Sequence, residues 1–209
     1  MTFHIAILGA GMVGRTMAVE LAKTHHVTSF DLNQQNLEIL KRKNNDIKTV
    51  AINLLDTSVN LKEVLSFADL VINAVPGFMG YRVLELVIKA GKNSVDISFF
   101  PESITSLHQL ALEHHVCSIM DCGVAPGMSN LILGRYNQEF KIHNFNFYVG
   151  GLPIVREKPF EYKAPFSPID VIVEYIRPAR LRIHGVNKVE PALSEIETLN
   201  FEGIGLEQN

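Results

Sequence analysis

The feature that most constrains this chain is a rhythm. Short apolar or β-branched runs recur at residues 3–8, 26–30, 47–52, 70–74, 94–97 and 116–120, with helix-patterned segments between them. Strands joined by helical crossovers run parallel, because each crossover carries the chain back to the end at which the previous strand began. A parallel sheet needs helices on both faces. The helical spacing of Met17 and Leu21, of Leu37 and Leu40, and of Val83, Leu84, Val87 and Ile88 supplies them. The pattern predicts an α/β fold with a doubly wound parallel sheet.

After Met120 the texture changes. Gly123, Pro126 and Gly127 read as a loop, and residues 128–136 as a helix. Phe145, Phe147 and Val149 then alternate with Asn144, Asn146 and Tyr148, the period of a strand with one face on a core. Residues 150–168 are rich in proline, glycine and charge and carry the aromatics Phe160, Tyr162 and Phe166. A long irregular segment of this kind is often functional. Ser167-Pro168-Ile169 reads as a helix start with proline at the first helical position, and the helix is expected to reach Tyr175. Strands are expected at 181–183 and 187–189 around a turn at Gly185, and the last twenty or so residues are weakly patterned.

Composition narrows the function. With 209 residues, 47% hydrophobic and 20% charged, the chain has the balance of a globular enzyme with one dominant core. A formal net charge of -3 with scattered lysines and arginines gives no footprint for nucleic acid or an anionic membrane. The start, Met1-Thr2-Phe3-His4, runs straight into an apolar strand, and the expected location is cytoplasmic. Cys117 and Cys122 fit neither a zinc pair nor a redox motif and are expected to be free thiols. The pairs His25-His26 and His114-His115 sit at helix-to-strand junctions where neighbours point apart, so no metal site is expected.

Gly9-Ala10-Gly11-Met12-Val13-Gly14 follows the first predicted strand and opens the first predicted helix. In that context Gly9 permits a tight turn, Gly11 lets backbone approach a pyrophosphate, and Gly14 lets helix pack on strand. The free amides and partial positive charge of the helix start, from Met12 and Val13 onward, then suit phosphate. The expected fold is thus Rossmann-type. Asp31, at the end of the second strand, is placed to accept hydrogen bonds from both adenosine ribose hydroxyls. A 2′-phosphate would meet that carboxylate, and Leu32-Asn33-Gln34 brings no cation, so NAD is expected over NADP. The alternative is that Asp31 caps the next helix. Asp56 after the third strand and Ala74-Val75-Pro76 after the fourth lie where ligands meet strand ends. For Asp56 a helix N-cap is the competing reading.

The segments GAGMVG, DLVINAVPG, SVDIS, DCGVAPGMSN, YVGGLP and YKAPFSPIDVIVEYIRPAR together resemble the saccharopine dehydrogenase and lysine 6-dehydrogenase group, from residue 3 to about residue 200. The later motifs carry the likeness more specifically than the glycine turn. Lysine 6-dehydrogenases resemble the chain more closely, partly because Asp31 suits NAD. The resemblance implies a nicotinamide-dependent oxidation of a C–N bond in an amino acid, with a cofactor domain at 1–125 and a smaller, partial α+β lobe at 126–209 for substrate or dimerisation.

An ammonium cannot release hydride until a base takes its proton. Asp121 at the end of the sixth strand, and Lys163 if desolvated by the aromatic loop, are the candidates; a turn cap and a solvated loop lysine are the competing readings. Tyr162, Arg177 and Arg180 are candidates for holding substrate, the arginines through a carboxylate. Cys122 as a thiolate nucleophile would instead suggest a semialdehyde dehydrogenase. Family members continue beyond the segment matching 194–205, so a second reading is a truncated protein that binds dinucleotide without redox chemistry. Open strands such as 145–149 are expected to support a homodimer or higher oligomer.

Overall fold

A computed structural model describes every residue except 152, 160, 165, 195, 196, 204 and 209, with only the backbone given for 205–208. Phe160 therefore lies outside the described residues. The chain divides into two compact units, Met1–Gly150 and Gly151–Asn209.

In the first unit β1 (His4–Leu8), α1 (Met12–Leu21), β2 (His26–Asp31), α2 (Gln34–Lys43) and β3 (Lys48–Ala51) form one winding. The other comprises α3 (Leu61–Val64), β4 (Leu70–Asn73), α4 (Gly77–Lys89), β5 (Ser94–Asp96), α5 (His108–Glu113) and β6 (Ser118–Ile119), and α6 (Met128–Tyr136) follows. The sheet has six strands in the order β3-β2-β1-β4-β5-β6. Every neighbouring pair is parallel. The expected doubly wound Rossmann topology is present.

Alternation along β1 builds the two cores. Ile5 and Ile7 join Ala18, Val27, Leu37, Leu40, Ile47 and Ile72 on one face. Ala6 and Leu8 join Phe30, Leu61, Leu65, Val71, Val83 and Val87 on the other. Asn33 caps α2 by accepting from the Gln35 amide, and Lys41, Arg42 and Lys43 in its last turn complement the helix dipole. The windings part between β1 and β4, the switch point at whose carboxyl edge sheets of this topology bind their ligands.

The strand expected at 145–149 does not form. Residues 144–150 are exposed and irregular, and no strand among the described residues pairs with them. Alternation alone does not make a strand whose amides and carbonyls lack a partner edge. The period survives locally, since the Phe145 and Phe147 rings stack at 6.4 Å.

The second unit holds α7 (Pro168–Glu174) and two small antiparallel pairs, β7 (Ala179–Ile183) with β8 (Val186–Glu190) and β9 (Thr198–Phe201) with β10 (Gly205–Gln208). Pro168 opens α7 behind Ser167, and Gly185, at φ +82°, turns β7 into β8. The β9–β10 hairpin is the element that the weakly patterned tail did not announce.

Candidate dinucleotide-binding site

The glycine turn is a close-packed object. Gly9 has φ +103°, and a Cβ there would lie 2.5 Å from the Ala74 carbonyl oxygen, so only glycine fits both the angle and the space. Its amide donates to the Phe30 carbonyl at 2.7 Å, while the Ala74 amide donates to Leu8 at 2.8 Å. Gly14 is buried, and a Cβ on it would stand 2.0 Å from the Gly9 carbonyl oxygen. Gly11 differs. It is the N-cap of α1 with no side-chain cap, no acidic residue fills the first turn, and a Cβ on it would meet nothing within 4 Å. Two glycines are required by the fold, whereas the third borders open space in front of helix-start amides at Met12 and Val13. That arrangement fits a pyrophosphate group.

Asp31 at the tip of β2 binds the same turn. Its Oδ2 accepts from the Ala10 amide at 2.7 Å and from Asn36 Nδ2 at 3.3 Å, and its Oδ1 accepts from the Asn33 amide at 2.7 Å. The carboxylate thus ties the glycine turn to the start of α2. An ionised carboxylate accepts about four hydrogen bonds, so three donors leave it capacity for another.

Ala74 abuts the glycine turn, Val75 is buried in the core, and Pro76 is the N-cap of α4. The competing reading of Asp56 as a helix cap is not met, and the residue forms a turn instead. Its Oδ1 accepts from the Ser58 amide and hydroxyl, which hold its carboxyl below the usual range, and α3 is capped by Asn60.

A polar cluster that sequence reasoning did not single out lies at the ends of β4 and β5. Asn73 and Asp96 are fully buried. Asn73 Nδ2 donates to Asp96 Oδ2 at 2.6 Å and to the Gly80 carbonyl at 3.2 Å, and the Ser98 amide and hydroxyl donate to Asp96 Oδ1. Burial raises the Asp96 carboxyl to about 6, against those hydrogen bonds. An aspartate between Val95 and Ile97 in a predicted buried strand was the available signal, since a carboxylate in a two-sided core is costly.

Asp121 follows β6 in a left-handed conformation, φ 56°, and is exposed at the strand's carboxyl end. The next amide, Cys122, donates to the Asp96 carbonyl at 3.0 Å. Burial, Asp96 and Asp121 push the Cys122 thiol up, the reverse of what a thiolate nucleophile requires. These surroundings count against the semialdehyde dehydrogenase alternative.

In the second unit Lys163 is not desolvated: its side chain is 65% exposed, with Nζ 4.0 Å from Glu157. The aromatic enclosure expected around it is not supplied by the described residues. Tyr162 is half-buried, and burial together with Tyr175 and Glu174 raises its hydroxyl. Glu174 is raised by partial burial, with Arg177 acting in the opposite direction, so α7 gathers Tyr162, Glu174, Tyr175 and Arg177. Arg180 lies exposed on β7, paired in register with Val189.

Residues 5–119 match the family model described as the saccharopine dehydrogenase NADP binding domain, and residues 123–208 match the saccharopine dehydrogenase C-terminal domain. The chain belongs to the saccharopine dehydrogenase family. Within this family it is 24% identical, over 97% of its length, to the mitochondrial alpha-aminoadipic semialdehyde synthase of Rattus norvegicus, of which it spans 23%. It is 25% identical, over 87% of its length, to saccharopine dehydrogenase (NADP(+), L-glutamate-forming) of Schizosaccharomyces pombe, of which it spans 42%. Among solved structures, apo saccharopine dehydrogenase (L-Glu forming) from Saccharomyces cerevisiae matches with a TM-score of 0.74 and 21% identity, over 96% of this chain and 47% of that one. That likeness shows the fold. The two family models meet between residues 119 and 123, close to the change of texture after Met120, whereas the compact units part at Gly150. No helix among the described residues is long and apolar enough to cross a membrane.

Proposed function

We propose that this chain binds a nicotinamide dinucleotide at the β1–α1 turn and, as an oxidoreductase, acts on the C–N bond of an amino acid of the saccharopine or lysine class. The observation that carries the reading is the open backbone at Gly11, where a Cβ would meet nothing within 4 Å, between two glycines that the fold itself requires. The relatives named above support the saccharopine side of the resemblance more than the lysine 6-dehydrogenase side. We take NAD as the preferred cofactor, because a carboxylate at the tip of β2 would repel a 2′-phosphate bound beside it, although the family model's name points to NADP.

The nicotinamide, when bound, supplies the hydride acceptor. The chain's own residues then bind, orient and deprotonate the amine. Asp121, at the carboxyl end of β6, is the proposed proton acceptor, with Lys163 the other candidate, and Tyr162, Arg177 and Arg180 are proposed to hold the substrate. The exposure of Lys163 favours a second reading, in which dinucleotide is bound without redox turnover. A homodimer through the exposed Phe145, Phe147 and Val149 and a cytoplasmic location complete the proposal.

Calorimetric titration with NAD and NADP tests the first step. NAD is expected to bind more tightly, and Asp31→Ala to weaken NAD by about ten-fold or more, the loss of a charge-assisted hydrogen bond, while narrowing the gap to NADP. Absence of heat with either nucleotide refutes the reading. Formation of reduced cofactor absorbance with saccharopine or lysine then separates the dehydrogenase from the binding protein.

A further inference from the structure

Asp96 is a buried carboxylate with no cation among the groups that act on it. Its hydrogen-bond partners are Asn73 and Ser98, the Cys122 thiol lies close by, and the charge facing it is another carboxylate, Asp121. A protein keeps such a group when its charge does something that a neutral side chain would not.

We propose that Asp96 is a positioning residue of the dinucleotide site, which holds the Asn73 amide in the one orientation that ties the Gly80 carbonyl of α4 to the end of β4. The proposal rests on the dinucleotide reading above and deepens it. The amide nitrogen of Asn73 has two hydrogens, directed at the carboxylate and the Gly80 carbonyl, with Ser98 Oγ a longer contact at 3.4 Å whose own hydrogen goes to Asp96 Oδ1. Its Oδ1 is buried with no donor among the described residues. An amide left this way would gain by turning over if a donor stood beside it. The ionised Asp96 offers only acceptors, so the amide stays.

Protonation changes the balance. The new O–H of Asp96 donates to Asn73 Oδ1 after the amide turns, and Nδ2 leaves the Gly80 carbonyl. Gly80 has no slack, because a Cβ there would lie 2.3 Å from Ser98 Oγ, and α4 begins directly after Ala74-Val75-Pro76. Ala74 in turn fills the spaces beside Gly9 and Gly14. A displacement at the start of α4 is therefore passed by close contact to the turn that holds pyrophosphate. With the carboxyl raised to about 6, mainly by burial, the competent ionised form is full near pH 7.5 and is lost as pH falls through 6.

Two measurements test this. The first is an NMR titration of the nucleotide-free wild-type chain between pH 5 and 7.5, following the Asp96 carboxyl carbon, the Asn73 side-chain amide and the Gly80 carbonyl. All three are expected to move with one midpoint near pH 6. The second is the Kd for NAD, which should rise about ten-fold from pH 7.5 to 5, as the competent fraction falls to roughly one in eleven. Asp96→Asn, which imitates the protonated group, should bind at pH 7.5 as weakly as wild type at pH 5, with a flat profile. The inference is overturned if Asp96 titrates while Asn73 and Gly80 stay still, or if the variant binds like wild type at every pH. Should Asp96→Asn not fold, the wild-type titration alone decides. Should wild type bind no dinucleotide while the three signals move together, the functional reading fails and the Asp96–Asn73–Gly80 coupling stands.

Discussion

Replacing Gly11 and Gly14 in turn by alanine separates what the fold needs from what the ligand needs. At Gly14 the added methyl would sit 2.0 Å from the Gly9 carbonyl oxygen and 3.0 Å from its carbon, so backbone must move. Overpacking of this kind costs about 1–3 kcal/mol. For a chain of this size that lowers Tm by roughly 2–12 °C. At Gly11 the backbone already has φ -62°, and the methyl meets nothing within 4 Å. Alanine is a poorer N-cap than glycine but loses less chain entropy on folding, so the net change should stay within about 1 kcal/mol. Binding should follow the opposite order of specificity. A methyl at Gly11 occupies the space through which phosphate reaches the helix-start amides, and loss of one charge-assisted hydrogen bond, about 1.5–3 kcal/mol, weakens the dinucleotide roughly ten-fold to a hundred-fold. Thermal unfolding and calorimetric titration on the same samples give both numbers. Gly11→Ala that keeps wild-type Tm and wild-type NAD affinity would refute the assignment of that turn to pyrophosphate.

Two further outcomes follow from the titrating groups. The folded-state carboxyl of Asp96 lies above its ordinary value of 3.8, so its contribution to stability is full below pH 3.8 and is lost as pH rises through about 6, a change of ~3 kcal/mol at most. Denaturant titrations at pH 4.5 and 7 should show wild type losing stability relative to Asp96→Asn over that interval, and parallel curves would contradict the burial cost. Because burial, Asp96 and Asp121 raise the Cys122 thiol, iodoacetamide at pH 7 should modify it more slowly than a free cysteine in solution, and faster modification would reopen the nucleophile question.

The doubly wound sheet was legible because β1 and β4 are buried on both faces and read as apolar runs up to Asn73, while β2 is carried by Val27 and Phe30 although Thr28 and Ser29 are buried beside them. The glycine turn was legible because each glycine answers a separate local demand. The strand expected at 145–149 was not, since pairing is a property of the partner edge and not of the alternating segment. The aromatic enclosure expected around Lys163 is not supplied by the described residues for a related reason: neighbours in sequence do not guarantee enclosure, and its Nζ faces Glu157 in solvent. The β9–β10 hairpin escaped notice because register is set between segments, by pairs such as Leu206 with Asn200, and the composition of 198–208 carries little of it.

Asn73 and Asp96 expose the deeper limit of pattern reading. Each looks, in its own run, like a polar interruption at a strand end, and each alone is an ordinary turn residue. Their meaning arises because parallel pairing sets Asn73 against Asp96, so that two interruptions become one buried pair. A charge in that place costs desolvation, and the orientation it imposes on Asn73 is the return proposed above. The adjoining contacts run from Gly80 through the start of α4 to Ala74, and from Ala74 to Gly9. The most recognisable segment of the chain is therefore joined by contact to a pair whose two members sit in separate segments, DLVINAVPG and SVDIS, and meet only through strand pairing.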